Sequence, residues 1–338
     1  MKEIKLRIVD WWEKDNEENF YNNTFVQILS KKYKVVYSNN PDYVIFGPFG
    51  LEHIKYINSV KIFISGENAR ANWDFADYAI DCDYIDFLDR HFRFPFAFWN
   101  YDYCNIQNIN NRQELLKYKS KFCAFIVTSP SNFSPRDEFF KKLCNYKKVD
   151  SGGRHLNNIR GYIGDRYNDF TKSKIEWLKN YKFNICFENS YHPGYITEKI
   201  FQAFSAGCIP IYWGDPRIDD IINPKSYINI NKFSNFEEAI EYINIIDNNN
   251  DLFLKIATES VFKENIDYVK YFNDKCEEFL FSIFDQDSIN AKRAYMHHRV
   301  EDKICEVLSY IPASNNKNFN IKYYLRHPKK LFKLLLSK

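Results

Sequence analysis

The run FNICFENSYHPGYITEKIFQAFSAGCIPIYWGDP, Phe183–Pro216, decides the fold. Its opening FNICFEN alternates apolar and polar positions as a strand does, while YITEKIFQAFSA, Tyr195–Ala206, carries apolar residues at helical spacing. Gly207 follows, where a helix end wants a residue free to turn left-handed. CIPIYWG, Cys208–Gly214, reads as the next strand. Strand, helix and strand in so short a span make a βαβ unit, and such a unit implies a parallel sheet.

Outward from this unit the alternation continues on both sides. Upstream, KFCAFIVTS (Lys121–Ser129) reads as a buried strand. Ser134-Pro135-Arg136-Asp137 then offers an N-cap, a proline at the first helical position and a capping-box acid ahead of EFFKKLCNY. SKIEWLKNYK (Ser173–Lys182) is a further helix. Downstream come SYINI (Ser226–Ile230), a Ser234-capped helix NFEEAIEYINII, and helical text to about Tyr310. The first third holds a second series. IKLRIVDWW, YKVVYS, DYVIFG, VKIFIS and DYAID are predicted strands, separated by the helical FYNNTFVQILSKK and LEHIKYIN. Between the series, Arg93–Arg112 is aromatic and Asn-rich without a period, and is expected to be a loop-rich joint. The expected architecture is α/β with two Rossmann-like domains, 1–116 and 117–312, followed by a basic amphipathic tail, 313–338.

Composition excludes several classes. The 338 residues are 45% apolar and 27% charged, and no window approaches 18 uninterrupted apolar residues, so a core is expected and a membrane span is not. Net charge is +3, yet seven bases and no acid follow Glu306, which leaves residues 1–306 at −4. An acidic body argues against nucleic acid as a partner. No apolar leader is visible at the N-terminus, which makes the cytoplasm the expected location. The eight cysteines lie about twenty or more residues apart without a CxxC pair, a spacing that suits reduced core thiols and no structural metal. GxGxxG, GxxxxGK[ST] and GxSxG are all missing, so dinucleotide, P-loop and serine-hydrolase readings lack their mechanical parts.

Three clusters carry candidate chemistry. In Phe187–Ile200, the residues Glu188, Asn189, Tyr195, Glu198 and Lys199 sit at a strand end, a loop and a helix start, where backbone N–H groups, the helix dipole and a lysine suit a diphosphate. First-turn surface charges are the competing account of Glu198 and Lys199. The turn Asp150–His155 presents Arg154, a candidate diphosphate clamp or else a solvated loop arginine. Ser65-Gly66-Glu67-Asn68 ends a strand of the first half, so Glu67 could face the anion site across a cleft as a general base; a surface or N-cap carboxylate is the alternative. Asp81-Cys82-Asp83 has the form of a metal-nucleotide DxD, but its place on an N-terminal strand puts it away from the anion cluster. His297-His298 reads as an exposed helical pair.

Phe-Glu-Asn, Tyr-Ile-Thr-Glu-Lys and Ile-Pro-Ile-Tyr-Trp-Gly, in this order, resemble the signature of the α1,3-fucosyltransferases, the family-10 glycosyltransferases. The resemblance extends from the SGEN segment through Asp-Tyr-Ala, Leu-Asp-Arg, the Gly-Gly-Arg turn and Asn-Pro-Lys-Ser-Tyr to the Phe-Glu-Glu-Ala-Ile helix, roughly residues 60–245; the first sixty and last hundred resemble it less clearly. It implies a GT-B fold, with acceptor contacts mainly in the N-terminal half and GDP-fucose in the C-terminal half. Carried over, Glu67 falls on the catalytic base, Lys199 and Arg154 on diphosphate contacts, Glu198 on the ribose, and Tyr195 on the donor pocket with Glu188 and Asn189 beside it. Because Arg160 lies close by, the choice between Arg154 and Arg160 as clamp stays open.

The implied reaction is an inverting displacement on GDP-β-L-fucose by a GlcNAc or glucose hydroxyl of a lactosamine- or lactose-type oligosaccharide, giving a Lewis-x-like product. No cofactor and no essential metal are expected. The chain lacks the heptad-repeat tail of some bacterial members and the C-terminal CxxC of animal members. A GT-B transferase using another nucleotide sugar, or a non-catalytic sugar- or nucleotide-binding protein, are the competing readings. The tail IKYYLRHPKKLFKLLLSK mixes bases with Tyr, Leu and Phe as an interfacial anchor would, and is expected to touch the inner face of a bacterial membrane, near lipid-linked glycans. The aromatics of Phe92–Tyr103 are candidates for stacking on acceptor sugars, or else core.

Overall fold

The computed structural model describes residues 1–104, 106, 112–164 and 171–294. The tail 313–338 and His297-His298 lie outside the described residues. Among the described residues, eleven parallel strands form two sheets: β1 Glu3–Val9, β2 Lys34–Tyr37, β3 Tyr43–Phe46, β4 Val60–Ile64, β5 Tyr78–Asp81 and β6 His91–Arg93 in the first; β7 Lys121–Phe125, β8 Val149–Ser151, β9 Tyr181–Phe187, β10 Ile209–Trp213 and β11 Ile228–Asn229 in the second. Their orders are β2-β1-β3-β4-β5-β6 and β8-β7-β9-β10-β11. Each sheet therefore winds outward in both directions from its first strand, with a switch point between β1 and β3 in one and between β7 and β9 in the other. Every residue of β3, β4 and β5 is buried, as expected of central parallel strands covered on both faces.

Several local expectations are corrected. FYNNTFVQILSKK is two helices, Glu17–Asn22 and Thr24–Ser30, because Asn23 takes an extended conformation and its side chain accepts from Phe25 N at 3.0 Å, capping a new start. LEHIKYIN holds only a 3-10 turn at Glu52–Lys55. The helix Arg136–Tyr146 has no side-chain cap; Ser134 Oγ is buried without a partner, and Asp137 binds His155 Nε2 at 2.7 Å instead of closing a capping box. Asn235, one residue after Ser234, caps Phe236–Asp247 by accepting from Glu238 N at 2.8 Å. Past this helix the described text is helical only over Asn250–Ala257 and Tyr268–Phe284.

Residues 93–104 are more ordered than their sequence suggests. They begin at the edge strand β6 and make a 3-10 turn at Phe96–Phe98, and Phe94, Phe98 and Trp99 are core residues. Phe94 and Phe98 stack on Phe272 of the helix Tyr268–Phe284 at 6.1 and 5.1 Å between ring centroids. That helix returns from the second half to lie on the first. Lys2 Nζ meets its terminal carbonyl at Phe284 at 2.8 Å, and buried Asp77 accepts from Arg293 N and Ala294 N, each at 2.7 Å. The two halves are thus packed through a shared aromatic core.

Candidate active site

A cavity of about 400 Å³ opens beyond the carboxyl ends of β7 and β9, at the switch point of the second sheet. Open α/β sheets bind ligands at such points because the chain departs to opposite faces there and leaves a crevice. Thr128, Ser129 and Ser131 line one wall; Glu198, Lys199 and Gln202, from the helix Glu198–Ser205, line the other. That helix starts three residues later than its sequence suggests. Thr197 is its extended cap, and the Thr197 N–H is taken by a carboxylate.

The carboxylate belongs to Glu188, which follows β9 and is fully buried. Glu188 Oε1 accepts from Thr197 N at 2.8 Å, and Oε2 accepts from Thr197 Oγ1 at 2.8 Å and Lys199 Nζ at 2.9 Å. Lys199 Nζ also donates to Thr197 Oγ1 at 2.9 Å. Burial disfavours the Lys199 charge, but Glu188, Glu198 and Tyr195 together outweigh it, so the ammonium is held well above the usual lysine range. Glu188 and Lys199 are therefore a preset ion pair at the cavity wall. Gly214 packs against this pair, since a Cβ there would lie 2.6 Å from Glu188 Cγ.

Arg136 supplies the second cation, and sequence reasoning passed over it. It is 2% exposed and lines the cavity from the first turn of its helix. Nη1 donates to Asn189 Oδ1 at 2.9 Å and Nη2 to the Ser129 carbonyl, while Nε is buried without a partner. No carboxylate pairs with it among the described residues. Burial pulls its pKa down, opposed by the nearby Asp137, Glu188 and Tyr195. An unpaired buried guanidinium is costly, and an anion in the cavity would remove that cost. Arg154, by contrast, is exposed, rests 4.9 Å from the Tyr162 ring centroid, and does not line the cavity; Arg160 is exposed as well. The signal that could have found Arg136 is its place directly after Ser-Pro at a helix start that follows the first strand of the second series.

Glu67 comes from the other half. It follows β4, is half-buried, and its N–H donates to Ser65 Oγ at 3.1 Å while its carboxylate has no hydrogen bond among the described residues. Tyr195, 2% exposed, feels the charges of both Glu67 and Lys199. Burial pushes the Tyr195 phenol up; Lys199 opposes this, and the carboxylates of Glu188, Glu67 and Glu198 add to it. Glu67 therefore shares one electrostatic neighbourhood with the ion pair. Asp83 corrects the sequence reading of its segment. Far from standing apart, it contacts His192 Nε2 at 2.6 Å, inside the loop that leads to Tyr195. Of the residues singled out, Asn189, Glu198 and Lys199 line the cavity and Glu188 pairs with Lys199; Tyr195 and Glu67 lie outside its lining, as does Arg154. Among the described residues no His, Cys, Asp and Glu group could hold a metal ion.

Comparison with known proteins bears on this site. The family model described as glycosyltransferase family 10 (fucosyltransferase) C-term matches residues 116–323, and that of the α-(1,3)-fucosyltransferase FucT N-terminal domain matches residues 6–101. The chain belongs to glycosyltransferase family 10. Family likeness thus reaches well beyond residues 60–245, into both flanks. The α-(1,3)-fucosyltransferase FucT of Helicobacter pylori is 30% identical over 330 residues, covering 85% of this chain and 67% of the relative. An α-(1,4)-fucosyltransferase of Arabidopsis thaliana is 24% identical over 72% of this chain and 62% of its own length. A crystal structure of an α1,3-fucosyltransferase with GDP-fucose superposes with a TM-score of 0.64 at 28% identity, covering 82% of this chain and 91% of that one. The two doubly wound sheets are accordingly the GT-B fold of a fucosyltransferase-family glycosyltransferase.

Proposed function

We propose that this family-10 enzyme transfers L-fucose from GDP-β-L-fucose, with inversion, to a hydroxyl of a lactosamine- or lactose-type acceptor, O3 of GlcNAc or glucose. The observation that carries the donor is Arg136, a buried guanidinium with no carboxylate partner among the described residues, facing the same cavity as Lys199. Two cations at a switch-point crevice suit a diphosphate. Beside them, Gln202 Nε2 and Asn184 Oδ1 line the cavity and are buried without partners among the described residues, one a donor and one an acceptor for a nucleobase edge. Glu198 presents a carboxylate able to accept from ribose hydroxyls. Support for GDP-fucose itself comes from the related structure that contains it.

In this reading Glu67 takes the proton of the acceptor hydroxyl as that oxygen attacks the anomeric carbon. Lys199 and Arg136 stabilise the negative charge that develops on the departing GDP, in a site where low dielectric strengthens them. The base acts from the opposite half of the cleft, as back-side attack requires. No residue's role calls for a metal, because the protein's own cations neutralise the leaving group. The reading is tested with GDP-fucose and other nucleotide sugars against a panel of lactose- and lactosamine-type acceptors. Glu67→Gln is expected to lower kcat by about a hundredfold or more while GDP binding is kept. A fully active Glu67→Gln enzyme, or turnover confined to another nucleotide sugar, overturns it.

A further inference from the structure

The segment 189–197 runs from the end of β9 to the helix Glu198–Ser205, and its residues divide between the two halves of the molecule. Toward the second half, Asn189 Oδ1 accepts from Arg136 at 2.9 Å, the Tyr191 ring lies 5.8 Å from that of Trp213, and Thr197 is bound to Glu188. Toward the first half, the contacts come from the intervening residues. Ser190 Oγ accepts from Asn68 Nδ2, His192 Nε2 meets Asp83 Oδ1 at 2.6 Å, and the Ile196 carbonyl accepts from Ala97 N at 3.2 Å. Gly194 lies so close to the first half that a Cβ would stand 2.0 Å from the Cys82 carbonyl oxygen.

The segment's shape is set by its own sequence. Tyr195 N donates to the His192 carbonyl at 3.2 Å, closing a turn with Pro193 second and Gly194 third at φ +87°, the arrangement that proline and glycine favour. Asp83 is the firmest anchor. It is 6% exposed, and its second oxygen takes Arg70 Nε at 2.7 Å, so the carboxylate is held before it meets His192. Asn68 is the neighbour of Glu67 in sequence. One short turn therefore touches the base-bearing loop at one edge and the cation-bearing cavity wall at the other.

We propose that Asp83 and Asn68 are positioning residues: they tie the 189–197 strap to the acceptor-side half, so that filling the donor cavity orders the loop that carries Glu67. This rests on the fucosyl-transfer reading, and deepens it by naming how the halves are coupled. Binding on the second half then stabilises the first, and the coupling is reciprocal. Loss of the Asp83–His192 contact weakens this coupling without touching a diphosphate or a reacting atom.

Amide hydrogen exchange of the full chain with and without GDP tests the proposal. In the unaltered protein GDP is expected to slow exchange at residues 66–70 and 81–84 by about fivefold or more, although GDP sits on the other half. In Asp83→Asn and Asn68→Ala, GDP should still bind, measured by calorimetry, and still protect 189–199, while protection of 66–70 falls away. With GDP-fucose and N-acetyllactosamine, Asp83→Asn should lower kcat by about tenfold with the KM for GDP-fucose within about twofold; His192→Gln should match it, and the two changes together should not add. A purely structural Asp83 would reduce the amount of folded enzyme without that split. Protection confined to the second half in the unaltered protein, or unchanged protection of 66–70 in the variants, overturns the proposal. Failure of GDP to bind the unaltered protein instead overturns the donor assignment beneath it.

Discussion

Replacing Lys199 by Met separates two roles that one lysine plays. Its ammonium pairs at 2.9 Å with the Glu188 carboxylate, which is 0% exposed, so Lys199→Met leaves a buried charge without its counter-ion. Breaking a buried pair from one side costs about 3–5 kcal/mol, and the two Thr197 donors that remain on Glu188 place this case near the lower figure. For a chain of this size that corresponds to a fall in Tm of about 5 °C.

The deficit should depend on pH, and the sign follows from Glu188. Burial already raises its pKa, Lys199 opposes that rise, and removing Lys199 lets it climb further. A carboxyl with a raised folded-state pKa favours the folded protein when protonated and loses that advantage as pH rises through the raised value. The stability lost in Lys199→Met should therefore be full near about pH 8 and smaller near about pH 5. Adding Glu188→Gln should restore most of the stability at about pH 8, because a neutral amide oxygen still meets the Thr197 donors. GDP affinity should not return in the double variant; it should remain weakened by about thirtyfold or more, since the cation is gone. Denaturation at both pH values and titration calorimetry with GDP measure these quantities. Lys199→Met as stable as the parent at about pH 8, or a double variant that binds GDP like the parent, would refute the reasoning.

Other expectations follow from the same geometry. Arg136→Met should weaken GDP by about thirtyfold or more, whereas Arg154→Met should change it by less than about threefold; calorimetry showing the reverse order would return the clamp to the glycine turn. Because Lys199 and Arg136 can neutralise the diphosphate, EDTA is expected to leave fucosyl transfer nearly intact, and complete, metal-reversible loss of turnover would contradict this. If the basic tail 313–338 attaches the enzyme to anionic lipid, the full chain should float with liposomes and a chain ending at Pro312 should not; equal partitioning removes that role.

The glycine-poor chain made much of this legible. Only ten glycines occur, and Gly194 and Gly207 do stand at φ +87° and +68°, one in a turn and one past a helix end, where local chemistry alone predicts them. Strand runs such as VKIFIS and FNICFEN were readable from their apolar pattern, which reflects burial between helix layers. Helix starts were read less well. Proline and serine at 134–135 look like a cap, yet Ser134 faces inward with no donor to meet, and Asp137 prefers His155 across the β8 turn.

The amino-acid order by itself determined the two βα series and the motif that names the family, and it singled out six candidate residues at strand ends, a loop and a helix start. Only the tertiary structure decided that Arg136 rather than Arg154 faces the cavity, that Asp83 reaches His192, and that Phe94, Phe98 and Trp99 form core. Those facts depend on which strands become neighbours. Pairing β7 with β9 places Ser129 and Arg136 beside Asn189, more than fifty positions away in the chain, and local periodicity carries no information about such pairings.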